Sequence, residues 1–315
     1  MEHRDLDAAA QGRHRPRGPD LRVQHRDHRA DGVGSHGVRL DDLRADCERC
    51  AGLCCVAPAF SASADFAIDK AAGQPCPNLQ PDFRCGIHST LRERGFPGCA
   101  VYDCFGAGQK VVQVSFAGQD WRTTPDVAPQ MFTVFTIMRQ LHELLWYLTE
   151  ALSLPQARSL HAELRVALDH TGRLTRGGPD ELVELDVAAH RESVNTLLLR
   201  TSELVRAEAP GRPVDHRGAD LVGKDLRGAD LSGANLRGAY LIGADLRAAD
   251  LRMADLIGVD FRGADLTGAD LSSCVFLTQF QVNAANGDHT TQLPASLTRP
   301  THWGQGVGVP WTRRA

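Results

Sequence analysis

The sequence predicts a multidomain chain: a Cys-rich metal-binding module, an α-helical spacer and a closed β-solenoid. Three observations carry this. Eight cysteines fall between Cys47 and Cys104, apolar residues recur at three-to-four spacing from Met131 to Leu148, and a period of five holds from Ala219 to Thr278. The predicted divisions are 1–40 as a disordered leader, 41–122 as the Cys-rich module, 123–210 as the helical region, 217–278 as the repeat solenoid, and 279–315 as a C-terminal cap and tail. An apolar content of 42% with 23% charged residues suits a chain that buries cores. The formal net charge of -4 is too small to mark an acidic tail or a basic nucleic-acid surface.

Residues 1–40 hold five of the thirteen histidines and eight arginines but no Phe, Ile or Trp, and they follow no helical or strand period. Disorder is expected, with His25 and His28 in a solvated tail and not at a metal site. A start codon placed too far upstream would produce a leader of the same kind. The N-terminus has no apolar core between its charges, so it is not a secretory signal. The richest apolar stretch, Met131 to Leu148, is interrupted by Arg139, Gln140, His142 and Glu143, which excludes a membrane span. A cytoplasmic chain is expected, and a reducing compartment turns clustered cysteines toward metal ligation or redox chemistry.

The cluster reads Cys47-x2-Cys50-x3-Cys54-Cys55, then Cys76, Cys85, Cys99 and Cys104. Thiolates are soft ligands preferred by zinc and iron–sulfur clusters, and a CxxC pair lets two sulfurs reach one ion across a tight turn. Eight sulfurs are enough for two four-coordinate sites. Ordinary reduced thiols and a disulfide scaffold are the alternatives. His88, three residues after Cys85, is expected to serve as a surface or hydrogen-bonding group. The stretch from Cys47 to Cys55, with the later CPNLQPDFRCGIHSTLRERGFPGCAVYDC, resembles the CxxCxxxCC family named for zinc or iron chelation.

A helix is expected from near Pro129, with Met131, Val134, Phe135, Met138, Leu141, Leu145 and Leu148 on one face and Trp146 in its core. Ser153 and Pro155 start a second helix running to Gly172, and Gly178-Pro179-Asp180 opens a third that ends before Pro210.

From Ala219 twelve pentapeptides follow one another, each centred on Leu or Phe, from Leu221 to Phe276. In extended chain, residues two apart share a face, so each Ala and the following Leu point together while the Asp between them points away. Five is odd, so the leucines stay on one side only if the chain turns once per repeat. Gly223, Gly228, Gly233 and their equivalents supply the turns. Lys224 replaces a small inward residue and is expected at the open first coil, and Cys274 is expected as an inert interior thiol. Phe280, Leu293, Leu297 and Trp303 are expected to cap the last coil.

These repeats resemble the pentapeptide-repeat family. The resemblance implies a right-handed quadrilateral β-helix with four repeats per coil, so that residues twenty apart stack and twelve repeats make three coils. Asp225, Asp245 and Asp265 then form one column and Asp230, Asp250 and Asp270 another. Tyr240, Ile242, Ile257, Val275 and Leu277 mark the sides expected to dock the helices or a partner. The joined Cys domain and solenoid, with the stretches SADFAIDK and VYDCFGAGQKV, are similar to actinobacterial proteins of the same composition.

The function expected is that of a non-enzymatic binding or scaffold protein that takes a protein partner through its solenoid faces and holds a structural zinc ion or iron–sulfur cluster. No Gly-rich phosphate loop, HExxH, GxSxG or acid pair stands in the sequence to support a reaction. The alternative is a metalloprotein with redox or hydrolytic activity at the Cys cluster. The resemblance also implies two partners or settings: DNA gyrase, which some relatives protect by imitating duplex DNA, and antibiotic resistance. Mimicry is expected to be poor here. Three coils rise about 14 Å, over which duplex DNA carries about eight charges. Residues Arg217 to Thr278 hold nine Asp against six Arg and one Lys, a net of only two negative charges.

Overall fold

A computed structural model describes residues 40–211 and 213–304. The expected leader, with His25 and His28, lies outside them apart from Leu40. Among the described residues the helices are α1 (Leu53–Val56), α2 (Pro97–Val101), α3 (Ala107–Lys110), α4 (Ala128–Ser153), α5 (His161–Leu174), α6 (Pro179–Glu184), α7 (Val187–Arg206) and α8 (Gln279–Ala284). None is long and apolar enough to cross a membrane.

The long helix α4 is the spine. Its first half buries Met131, Val134, Phe135, Met138 and Leu141 with Leu53, Val56, Val111 and Val112 of the Cys-rich region. Its second half buries Leu144, Leu145, Tyr147, Leu148 and Ala151 with α5, α7 and the solenoid. One amphipathic helix therefore serves two apolar clusters, each fully buried Leu or Met contributing about 1.5–3 kcal/mol. The second expected helix begins as a 3-10 turn over Pro155–Leu160 before α5. The expected third helix is in fact two. Leu185 is extended, and Asp186 restarts the chain by accepting the Ala189 N–H at 2.9 Å, so a side-chain cap separates α6 from α7.

The solenoid coils with a repeat of twenty residues. Parallel bridges join Asp220 to Tyr240 and Tyr240 to Asp260, Asp225 to Asp245 and Asp245 to Asp265, Asp230 to Asp250 and Asp250 to Asp270, and Asn235 to Asp255 and Asp255 to Val275. Each side is a column of single bridges. At the corners the Lys224 N–H reaches the Leu221 carbonyl at 3.2 Å across Gly223, whose φ of 65° admits the turn. From Leu231 to Phe276 every central Leu or Phe is at most 4% exposed.

The coil starts one repeat earlier than the period in the sequence indicates. Asp215 bridges Asn235, and the Gly218 N–H donates to the Arg237 carbonyl. Residues 214–218 are thus a further repeat with His216 in the Leu position. Lys224 is exposed on the first coil, and Cys274 is buried in the interior. At the far end Asn286 and Gln292 extend two columns by pairing with Asp265 and Asp270, and α8 lies between the last repeat and Asn286. Leu297 and Trp303 are buried over this end, with Phe280 and Leu293 packed against it. The Trp303 indole donates to the Ala285 carbonyl at 2.9 Å.

Candidate functional site

The cysteines sit on short turns and helix ends that the folded Cys-rich region brings together. Cys47 opens a 3-10 turn capped by Asp46, whose carboxylate accepts the Glu48 N–H at 3.1 Å. Cys50 follows in extended chain. Gly52, at φ 64°, then reverses the backbone so that the N–H groups of Gly52 and Leu53 point back at the Cys50 sulfur. A related loop stands at Cys104, where Phe105 (φ 50°) and Gly106 (φ 75°) are both left-handed and the N–H groups of Gly106 and Gly108 meet the sulfur. Gly108 also faces Cys50, and a methyl group there would collide with its sulfur. Cys54 and Cys55 are neighbours on α1 with sulfurs 4.0 Å apart. The Cys76 N–H donates to the Cys55 carbonyl at 2.9 Å, Cys85 pairs with Leu79, and Cys99 lies in α2.

Each of the eight thiols lies within electrostatic reach of at least two others. Cys50 is influenced by Cys104 and Cys47, and Cys54 by Cys55, Cys50 and Cys104. Cys85 is influenced by Cys55, Cys76 and Cys47, and Cys99 by Cys55, Cys76 and Cys85. Burial is the main cause that pushes Cys50 and Cys99 up to about 12. Cys55 is lowered because it accepts the Cys54 S–H and because Lys70 stands near it. Among the described residues no three His, Cys, Asp or Glu side chains close to the geometry of an ion site. The donor set is chemically that of a soft ion: eight thiols stand in one folded region, and Cys50, Cys104 and Cys85 receive backbone N–H bonds of the kind that support thiolate charge. His88 is exposed.

Two features escaped the sequence reading. The Cys-x-Gly spacing at Cys50-Ala51-Gly52 and Cys104-Phe105-Gly106 signals the N–H···S loops. Lys70 gave no spacing signal at all. It is 6% exposed, and its ammonium donates to the carbonyls of Val56, Ala71 and Gln74 at 3.0, 3.1 and 2.9 Å. It also lies 5.3 Å from the centre of the Phe60 ring and exerts its charge on Cys55 and Cys99.

The solenoid sides differ sharply. The Asn235/Asp255/Val275 side is covered by helices: Arg237 is buried with Asp255 at 2.8 Å and bonds Asn195 of α7, while the Tyr147 ring of α4 meets Phe276 edge-on at 5.8 Å. Val275 and Leu277 are buried there, and Ile257 is half-buried. The Asp220/Tyr240/Asp260 side keeps Val222 and Tyr240 at 41% and 53% exposure. At its upper end Arg262 reaches Asp65 of the Cys-rich region at 3.3 Å. The other two sides carry carboxylates and guanidiniums in register. Arg227 joins Asp225 to Asp245, Arg247 joins Asp245 to Asp265, and Arg252 joins Asp250 to Asp270.

Comparison with known proteins places residues 217–247 and 239–276 in the family described as pentapeptide repeats, in eight copies. The uncharacterized protein YybG of Bacillus subtilis (strain 168) is 62% identical over 265 residues, covering 83% of this chain and 95% of that protein. Among solved structures, alr5209, a pentapeptide repeat protein from Nostoc PCC 7120, is 30% identical over 31% of this chain and 91% of its own, with a TM-score of 0.20. AT2G44920, a pentapeptide repeat protein of the Arabidopsis thaliana thylakoid lumen, is 33% identical over 28% of this chain and 59% of its own, with a TM-score of 0.15.

Proposed function

The chain belongs to the pentapeptide-repeat family, and from that premise we propose that it is a non-enzymatic scaffold. Its solenoid presents the Val222/Tyr240 side to a protein partner, and its Cys-rich module holds structural metal, as zinc or an iron–sulfur cluster. One observation carries the scaffold reading. The helices occupy the Asn235/Asp255/Val275 side, so that apolar patch is internal, whereas Tyr240 and Val222 stay open on a neighbouring side of the same rigid coil. An exposed aromatic beside aliphatic groups is the usual anchor of a protein interface.

The metal would be held by Cys47, Cys50, Cys54, Cys55, Cys76, Cys85, Cys99 and Cys104. Its binding energy would serve as folding energy for a region built of short turns. The sulfurs must draw in to close on an ion, and thiols that burial holds above the ordinary range, Cys50 and Cys99 among them, must lose their protons as they do so. Arg262–Asp65 then ties the metal module to the solenoid, so that loss of metal loosens one edge of the partner-binding side.

The scaffold reading is tested by placing a photo-crosslinking phenylalanine analogue at Tyr240 in living cells, with Thr196, an exposed residue of α7, as control. The expected result is a discrete protein adduct from position 240 that disappears when Val222 is changed to Lys. No adduct at 240, or the same adduct from 196, overturns it.

A further inference from the structure

We propose that the eight cysteines form two separate four-thiolate sites that part between the chain neighbours Cys54 and Cys55. Cys47, Cys50, Cys54 and Cys104 take one divalent ion of the zinc type, and Cys55, Cys76, Cys85 and Cys99 take a second, with Lys70 standing against the second alone. This rests on the reading of the cluster as metal-binding and says how the sulfurs divide.

The division follows from backbone geometry. Successive residues on a helix diverge by about 100°, so Cys54 and Cys55 on α1 send their sulfurs to different neighbours although those sulfurs are 4.0 Å apart. Besides Cys55 itself, the thiol neighbours of Cys54 are Cys50 and Cys104. Those two sulfurs are brought together by Gly108, which has no side chain to separate them. The Cys50 and Cys104 loops are also alike, each with a left-handed glycine two residues on and two N–H groups aimed at the sulfur. Both sulfurs border Gly108, Cys50 against its Cα and Cys104 through its N–H.

Cys55 turns the other way. Its carbonyl holds the Cys76 N–H, which fixes Cys76 beside it. The Leu79–Cys85 bridge folds Cys85 back to the same place, and α2 delivers Cys99 against Cys55, Cys76 and Cys85. Cys47 stands between the sets, with Cys50 and Cys104 on one side and Cys55 and Cys85 on the other. Four ligands per ion, and the two-residue spacer to Cys50, assign it to the first site.

The sites are not equivalent. Four thiolates on a divalent ion leave two net negative charges, and metal binding to thiols releases protons to the buffer. At the second site the buried Lys70 ammonium offsets one of those charges and is anchored by three carbonyls. At the first, Cys47 is exposed, which gives water and chelators an entry. The first ion should therefore leave first.

The test uses the full-length chain, purified without oxygen and loaded with Co²⁺ alone. Metal content is measured, a chelator is added, and samples taken during release are alkylated and mapped by mass spectrometry. The expected result is two ions per chain leaving in two phases. At half release, alkylation marks Cys47, Cys50, Cys54 and Cys104, while Cys55, Cys76, Cys85 and Cys99 are spared. Lys70→Met should speed the second phase about tenfold or more and leave the first unchanged. A single ion, a single phase, or early alkylation drawn from both sets overturns the division while leaving metal binding intact. A chain that takes up no Co²⁺ overturns the metal reading itself, and the division with it.

Discussion

The Glu150 carboxyl of α4 accepts the Phe276 backbone N–H at 2.7 Å, so the spine helix is bonded directly to the last repeat of the solenoid. Burial pushes this carboxyl up to about 8, against the opposing pull of that hydrogen bond, and Asp255 adds to the rise. Between about pH 4.5 and 8 the folded chain keeps a proton on Glu150 that the unfolded chain has released. Stability therefore falls as pH rises through that window, by up to about 1.4 kcal/mol per unit. His142, buried against the Phe105 carbonyl and lowered to about 4 by desolvation, acts oppositely. It costs stability as pH falls from 6.5 toward 4, so the two effects offset one another in mild acid and the decline shows above pH 6.5.

Glu150→Gln keeps an acceptor for Phe276 and removes the titration. Urea unfolding at pH 6, 7 and 8 should give a flatter profile for the variant, with its largest gain over the wild type at pH 8. A wild type as stable at pH 8 as at pH 6, or a variant with an unchanged slope, contradicts the assignment.

The Arg237–Asp255 pair lies under α7 with side-chain exposures of 6% and 0%. Removing one partner strands a buried charge, so Arg237→Met should cost about 3–5 kcal/mol in equilibrium unfolding. Arg237→Met with Asp255→Leu should recover most of that loss. A single variant within about 1 kcal/mol of wild type would show the pair to be open to water.

Ala248 occupies a corner at φ 57°, where most other corners carry glycine. An L-residue there costs about 1–2 kcal/mol, and the added freedom of unfolded glycine returns about half of it. Ala248→Gly should thus raise the melting temperature, whereas Ala249→Gly, at a position 1% exposed, should lower it. The same sign for both would refute the corner strain.

Arg227, Arg247 and Arg252 pair with Asp225, Asp245, Asp265, Asp250 and Asp270, so the two outer columns carry three Arg against six Asp and are about half neutralised. A DNA mimic needs uncompensated carboxylates. In a gyrase supercoiling assay, with and without a quinolone, micromolar protein is expected to neither inhibit nor protect. Potent inhibition or protection would make the outer columns a working DNA surface.

The solenoid was legible because a five-residue period with Leu at a constant offset has few other structural solutions. Its first repeat escaped because His216 stands where Leu is expected. The docking side was half legible. Ile257, Val275 and Leu277 and also Tyr240 and Ile242 marked apolar sides, but only the fold decides which of them the helices take. The break at Leu185–Asp186 was hidden inside a helical pattern, since one capping Asp looks like any surface acid. Cysteine spacing marked the Cys-rich region but not which thiols neighbour which, because Cys76, Cys85, Cys99 and Cys104 come from separate loops and helix ends. Lys70 shows its place only through the three carbonyls around it.

The proposed metal in the Cys-rich region, which Arg262 and Asp65 join to the solenoid, is to act as a structural element. Hydrogen exchange on the full chain, with its metal and after chelation under reducing conditions, tests it most directly. The account predicts that chelation raises exchange throughout 47–104 by at least tenfold while amides of 234–277 keep their protection. Unchanged exchange in 47–104 after the metal is removed would contradict it.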